Sequence, residues 1–471
     1  MNPETLYFNG INGTSGDYLL SPMTPEEIVR IALGEELSPD QLNELKWRKF
    51  QATAAHFGVK YGVDPTSLAE AGWGVIFTHD ADPAIRQALS ELLDYRRAQA
   101  TSIKEQRYRE FAAADGYHPG ESKQKFLSRH GAGPGAVDPD KVPYYLLIVG
   151  DPETVPYSFQ YQLDVAYAVG RIHFETTEEY RKYARSVVEA ETKAFLRPRA
   201  AAFFGVRNQA DRATQLSADH LIKPLIQKMS ETVPEWKIQD ILAEDATKAR
   251  LGRLMGGDET PALLFTASHG MGFPKDSPLQ LSHQGAILCQ DWPGPLKHRG
   301  VIPSEFYFSA DDVKEGNDLS GLISFHFACF GAGTPRLDDF AHMAFRERAE
   351  IAPHAFVARL PQRMLGHGAL AVVGHVERAW GCSFMWERAG EQLAVFESAL
   401  CQLMNGLPVG LAMEYFNERY AELSSDLNVE LEEVKFGKIP NNLELAGMWT
   451  ANNDARSYII IGDPAVRLNL R

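Results

Sequence analysis

Short apolar runs that stop at glycine or at one polar side chain recur from about residue 71 onward, separated by stretches with helical period. The first are Gly74-Val75-Ile76-Phe77, Tyr144 to Val149 and Ala168 to Ile172, with a helical pattern over Asp82 to Arg97. A second series follows Arg197-Pro198-Arg199: Ala200 to Val206, Trp236 to Leu242, Ala262 to Ala267, Leu322 to Ala328, Ala369 to Gly374 and Tyr458 to Gly462. Runs of this length bounded by Gly read as strands buried on both faces. Their alternation with helices predicts an α/β fold with a mostly parallel six-stranded sheet flanked by helices in residues 197–471, beside a second, smaller α/β subdomain in residues 71–196.

Between the early strands, Gly116 to Lys141 is rich in Gly, Pro and charge and reads as an exposed loop. Thr176-Thr177-Glu178-Glu179 is a capping-box start to a helix reaching about Phe195. Residues 1–70 open on a polar, Gly-containing lead. They then read helical, because Thr24-Pro25-Glu26-Glu27 and Ser38-Pro39-Asp40-Gln41 each offer an N-cap, Pro at N1 and acids in the first turn. This region reads as a docking or regulatory layer. Leu146 to Pro152 echoes Ile459 to Pro464, each an apolar strand followed by Gly-Asp-Pro. Two related subdomains would give that echo, and so would a turn that suits any strand.

Two runs carry the candidate chemistry. Ala262 to Gly270 ends Ala267-Ser268-His269-Gly270, and Leu322 to Gly333 contains Phe327-Ala328-Cys329-Phe330-Gly331. Open parallel sheets place ligands at the carboxyl ends of their strands, so His269 and Cys329 emerge side by side. A thiol beside an imidazole can become a nucleophilic thiolate, and the imidazolium can then protonate a leaving amine. Gly270 admits close approach of a substrate to the backbone, and its N–H with that of Cys329 forms a candidate oxyanion hole. A lone Cys more often packs as a small hydrophobe. Two strand ends in the order His then Cys favour a catalytic pair.

Other chemistries lack their signatures. His269, His283, His298, His326, His367 and His375 include no His-Glu-x-x-His pair, and Gly331-Ala332-Gly333 lacks the Lys-Ser/Thr of a phosphate loop, so neither metal nor cofactor is expected. Lys plus Arg total 47 against 62 Asp plus Glu, a net charge of −15, which argues against nucleic acid as the main partner. The four cysteines, Cys289, Cys329, Cys382 and Cys401, are too scattered for a disulfide framework and suit a reducing compartment. With no basic leader before a long apolar stretch, and no apolar run of about 18 residues, the expectation is a soluble cytoplasmic protein without a membrane partner.

The order strand-His-Gly, then strand-Ala-Cys-x-Gly, resembles the caspase-like cysteine peptidases, the group of caspases, legumains, separases and gingipains. No Gln precedes Ala328-Cys329, and His269 lies 60 residues before Cys329 where caspases have roughly 50. The chain is more similar to the gingipain-like peptidases, through Val149-Gly150-Asp151, Val169-Gly170-Arg171-Ile172 and Gly462-Asp463-Pro464-Ala465-Val466-Arg467-Leu468. The resemblance covers about residues 71–471. It departs in lacking a secretion signal, in residues 1–70 and in the long His269–Cys329 segment.

The resemblance implies a caspase-like fold of two packed subdomains, with Cys329 as nucleophile, His269 as general base and acid, and the Gly270 and Cys329 amides as oxyanion donors. Asp164 is the candidate to orient His269 or to read the substrate's P1 side chain, a capping or salt-bridged Asp being the plainer alternative. The loop Gly374 to Gly381 supplies the specificity pocket. There Trp380 is a candidate wall, Glu377 favours a basic P1 residue and Arg378 an acidic one, the family likeness tipping the choice to basic. Residues 273–320 are polar and Pro/Gly-rich, with Gln284 to Cys289 a hairpin arm and Phe308 to Asp312 a helix start; they read as a lid, an autocleavage segment, an exosite or a decorative insertion. The function implied is that of a cytoplasmic cysteine endopeptidase for limited, regulated cleavage of a protein or peptide substrate, with an activating partner, in a bacterial defence or cell-death system. A catalytically inactive interaction module on the same fold is the alternative.

Overall fold

The structure is a computed structural model and describes residues 8–18, 24, 58–192, 197–338, 349–386, 390–436 and 438–470. In chain order its strands are β1 (Phe8–Asn12), β2 (Trp73–Phe77), β3 (Tyr108–Phe111), β4 (Tyr145–Val149), β5 (Ala168–Ile172), β6 (Ala200–Gly205) and β7 (Lys237–Leu242). Then come β8 (Leu263–Ala267), β9 (Gly270–Gly272), β10 (Ile287–Leu288), β11 (Tyr307–Phe308), β12 (Ile323–Phe327), β13 (Gly333–Thr334) and β14 (Phe356–Val357). The last are β15 (Ala371–His375), β16 (Ala379–Trp380), β17 (Met385–Trp386), β18 (Gly390–Glu391) and β19 (Tyr458–Gly462).

Ten of them form one sheet in the order β3-β2-β4-β5-β19-β15-β12-β8-β6-β7, so the two α/β units of the sequence share a single sheet. Every adjacent pair is parallel except β15 with β19. All six strands expected in residues 197–471 are present and contiguous. The antiparallel seam means that β2 to β5 and β19 point one way, and β6, β7, β8, β12 and β15 the other. β2, β4, β5, β8, β12, β15 and β19 are buried along their whole length, which is why they read as unbroken apolar runs. β3 and β7 are the polar edges.

The seam is pinned by the Gly-Asp-Pro after β19. A Cβ on Gly170 would lie 2.1 Å from the Gly462 carbonyl oxygen, so β5 and β19 meet closely only because residue 170 is glycine. Buried Asp463 accepts from Trp73 Nε1 at 2.9 Å, Arg96 Nε at 2.7 Å and the Ala465 amide at 3.0 Å. Asp151 of the earlier Gly-Asp-Pro accepts from the Glu153 and Thr154 amides and the Thr154 hydroxyl just after it, so there the tripeptide is a turn. Arg171, also buried, donates to Gln160 Oε1, the Gly150 carbonyl and the Val155 carbonyl, tying helix Tyr157–Asp164 under β5.

The helix Thr177–Thr192 begins with the expected capping box, in which Thr176 and Glu179 exchange hydrogen bonds. Residues 116–141, expected as loop, contain a helix, Lys123–Arg129, whose first turn is capped by Ser122. Helical starts expected at 24–27 and 38–41 lie outside the described residues, apart from Thr24. The polar lead is a strand where described: β1 buries Ile11 in a small core with Met271, Phe273, Leu288, Trp292 and Tyr307.

That core belongs to a second, five-stranded sheet, β11-β10-β9-β1-β16, standing at the carboxyl ends of β8 and β12. Residues 273–320 supply two of its strands, β10 and β11, and most of the small core. The expected arm at 284–289 is β10, paired with β11 and β9, and the expected helix start at 308–312 is a short 3-10 turn closed by a Ser309–Asp312 capping box.

Candidate active site

β8 and β12 are parallel neighbours in register from Ile323 opposite Leu263 to Phe327 opposite Ala267, and the Ser268 amide extends the ladder to the Phe327 carbonyl at 3.2 Å. His269 and Cys329 are each two residues beyond the last pair, so the two side chains leave adjacent strand ends. Gly270 packs on the Cys329 backbone: a Cβ there would sit 1.8 Å from the Cys329 carbonyl oxygen. The glycine is therefore required by the contact between the strand ends. Its bare Cα faces the Cys329 backbone, which corrects the expectation that the space served a substrate.

Beyond Cys329 the chain turns sharply. Phe330 has φ of +57°, a left-handed backbone that costs a non-glycine residue about 1 kcal/mol or more. The turn is held to the segment after β15, with the Phe330 amide donating to the Glu377 carbonyl at 2.7 Å and the Ala332 amide to the His375 carbonyl at 2.8 Å. The same segment reaches the thiol, because the Ala379 amide donates to Cys329 Sγ at 3.2 Å. Cys329 is wholly buried, and its pKa is pushed up to about 12 by burial, against which the Ala379 amide and the Arg378 charge pull down.

The imidazole of His269 is also wholly buried. Its Nε2 lies 2.7 Å from Asp211 Oδ2, and its Nδ1 has no hydrogen-bond partner. No hydrogen bond joins it to Sγ in this conformation. Asp211 stands in the loop after β6, the strand beside β8, at the N-cap of helix Arg212–Ser217. Its carboxylate leaves the helix amides uncapped and accepts instead from His269, from the Thr214 hydroxyl at 2.7 Å and from the Tyr18 hydroxyl at 2.5 Å. Burial drives the Asp211 pKa up, but the His269 charge and these hydrogen bonds outweigh it and leave it below the usual carboxylate value. The Tyr18 ring also meets the imidazole edge-on, with centroids 5.6 Å apart.

Asp164 does not take this role. It ends the helix before β5, four strands from β8 and so roughly 19 Å away at about 4.8 Å per strand. It lies beside Gly58, Tyr167, Glu414 and Glu418, and burial raises its pKa well above the usual value. Asp211 went unrecognised because Asp-x-x-Thr before a short helix reads as an ordinary cap.

The pocket residues are together but not as separate specificity groups. Buried Arg378 forks onto Asp338, Nη1 to Oδ1 at 3.0 Å and Nη2 to Oδ2 at 2.8 Å, and Nη1 also reaches Glu377 Oε1 at 2.6 Å. Both terminal nitrogens are committed, which removes Arg378 as a receptor for an acidic P1 side chain. Trp380 is 2% exposed; its amide donates to Asp454 Oδ1 at 2.9 Å, and its backbone pairs with Phe8 of β1.

The remaining histidines serve the fold. His326 is buried within β12 and held neutral, its pKa pushed down to about 3 by burial, while His283 joins Tyr307 to Asp311. Among the described residues no three His, Cys, Asp or Glu side chains gather as a metal site, and no helix is long and apolar enough to cross a membrane.

No family model matches the chain, and no curated protein matches it. Among solved structures it is similar to the Arg-specific cysteine proteinase gingipain R, with a TM-score of 0.47 and 13% identity over 88% of this chain and 81% of that one. It is likewise similar to the complex of Porphyromonas gingivalis RgpB pro- and mature domains, at 0.47 and 13% over 85% and 80%. Saccharomyces cerevisiae separase, from its complex with securin, gives 0.32 and 11% over 68% of this chain and 16% of that one.

Proposed function

We propose that this chain is a cysteine endopeptidase in which Cys329 attacks the scissile carbonyl and His269 carries the protons. One observation supports this above others: Asp211 holds Nε2 of a buried imidazole at 2.7 Å while Nδ1 is left without a partner, one strand from a thiol. An Nε2–H donated to Asp211 leaves the Nδ1 lone pair as the base. Nδ1 takes the thiol proton as Sγ bonds to the carbonyl carbon, and the displaced electron pair moves onto oxygen, toward the Gly270 and Cys329 amides. Collapse of this adduct expels the amine, which takes its proton from Nδ1. Water then repeats the sequence on the thioester, and Asp211 stays ionised throughout, offsetting the imidazolium.

A basic P1 residue is the reading we favour on the family resemblance alone, since the contact between Arg378 and Glu377 engages both charges alike. The substrate class proposed is a cytoplasmic protein cut at few positions, in keeping with cysteines that are all free. A defence or cell-death setting with an activating partner rests on the family resemblance alone.

The buried thiol favours a second reading, an inactive interaction module. A randomised peptide library separates the two, with Cys329→Ala as control and an acyloxymethyl ketone peptide as label. Cleavage and labelling that vanish in Cys329→Ala support the peptidase. Cleavage that survives the substitution moves the chemistry elsewhere, and absence of both, with the thiol shown to be accessible, supports the module.

A further inference from the structure

Among the described residues, Cys329 is flanked by β9, which starts one residue after His269, and by β16, whose Ala379 amide touches Sγ, so the strip between them is the lane offered to a peptide. Extended chains bind such strips by pairing with strand edges. Both edges are taken by the chain's own β1. It runs parallel to β9, with Gly10, Ile11 and Asn12 opposite Gly270, Met271 and Gly272, and antiparallel to β16, with Phe8 and Asn9 opposite Trp380 and Ala379.

The occupant is fastened at three further points. Ile11 is buried in the small core, the Gly13 amide donates to the Gly272 carbonyl at 2.7 Å, and the Ile302 and Gly300 amides donate to the Gly13 and Ser15 carbonyls at 2.9 and 2.8 Å. From the same hairpin Tyr18 reaches Asp211 itself. The thiol has no exposed surface, and the imidazole is equally enclosed.

We infer that residues 8–12 fill the substrate lane of this site as a strand in cis, and that Cys329 becomes available only when that strand is displaced. The inference rests on the proposed placing of the nucleophile at Cys329. Displacement also withdraws the Tyr18 hydroxyl from Asp211, so opening the lane and changing the surroundings of the carboxylate that positions His269 are one event. A protein that captures residues 8–18, or a cut between them and residue 58, is the kind of input that would release it.

The test is the rate at which iodoacetamide alkylates Cys329 in the full chain, read by peptide mass mapping. Ile11→Asp puts a charge in the small core and should expel β1, raising that rate by about tenfold or more, with Ile11→Val close to the parent. A folded Ile11→Asp chain that labels at the parental rate overturns the inference. Should Ile11→Asp fail to fold, the parent protein decides. Cys329 must then be slowed, relative to a free thiol, by the factor that protects the amides of residues 10–12 from hydrogen exchange, within about tenfold. A larger discrepancy in either direction overturns it. The two readings fail separately: a thiol freed in Ile11→Asp with no library peptide cut leaves the strand in place and sinks the peptidase. A parent chain that cuts the library as fast as Ile11→Asp does the reverse.

Discussion

Asp211 and His269 are 58 residues apart in sequence and 2.7 Å apart at Oδ2 and Nε2, both fully buried at the ends of neighbouring strands. This contact decides which imidazole nitrogen is free. Asp211→Asn keeps the shape but loses the charge and allows the wrong tautomer, so kcat/KM of the parent chain should fall on the order of 10²-fold or more while the fold persists. Because the Asp211 pKa lies below its unfolded value, its stabilisation is complete above about pH 4 and fades as the pH drops further. Urea midpoints for the parent should decline more steeply there than those of Asp211→Asn.

Gly270→Ala would drive a methyl to 1.8 Å from the Cys329 carbonyl oxygen, so the two strand ends must separate. We expect a loss of about 1–3 kcal/mol in urea unfolding, together with loss of Cys329-dependent cleavage. Unchanged stability would mean that the two strand ends do not touch.

Arg378 neutralises two buried carboxylates, Asp338 and Glu377. Arg378→Met leaves them without that counter-charge and should cost about 3–5 kcal/mol in denaturant unfolding. Arg378→Lys should recover only part of this, because an ammonium cannot fork onto both Asp338 oxygens.

Glu414 accepts from the Tyr144 hydroxyl, and burial raises its pKa to about 7. The native state therefore keeps a proton that the unfolded chain gives up near pH 4.3, so this group's contribution to stability falls as the pH rises from about 4.5 to 7. Comparing urea midpoints at intervals across that window, the decline should be shallower in Glu414→Gln than in the parent.

The strands of the large sheet were legible because burial on both faces removes every polar position from them. β1 and β3 were not, since each mixes polar residues with few apolar ones, while the edge strand β7 was legible from Trp236 to Leu242 despite its polar positions. Of the candidate site, the placing of His269 and Cys329 on adjacent strand ends could be read from two runs that stop alike. The carboxylate could not. Only its place before Val169-Gly170-Arg171 points to Asp164, and no local pattern reveals that the two halves of the sheet meet at one antiparallel seam, with β5 four strands from β8. The twin Gly-Asp-Pro segments show the same limit: one is a turn and the other a buried junction, and only the partners Trp73 and Arg96, more than 360 residues away, tell them apart.

The seam strand, Tyr458–Gly462, is synthesised after every other strand of the sheet it completes, yet it lies at the sheet's centre, between residues 168–172 and 371–375. On the ribosome the two halves must therefore emerge as separate open-edged sheets and wait for their common strand. Such sequence-distant pairing is slow, and the unpaired edges of β5 and β15 are exposed meanwhile to other strands. The nascent protein is thus most vulnerable to aggregation in the interval before residue 462 is made, and chaperone demand should concentrate there.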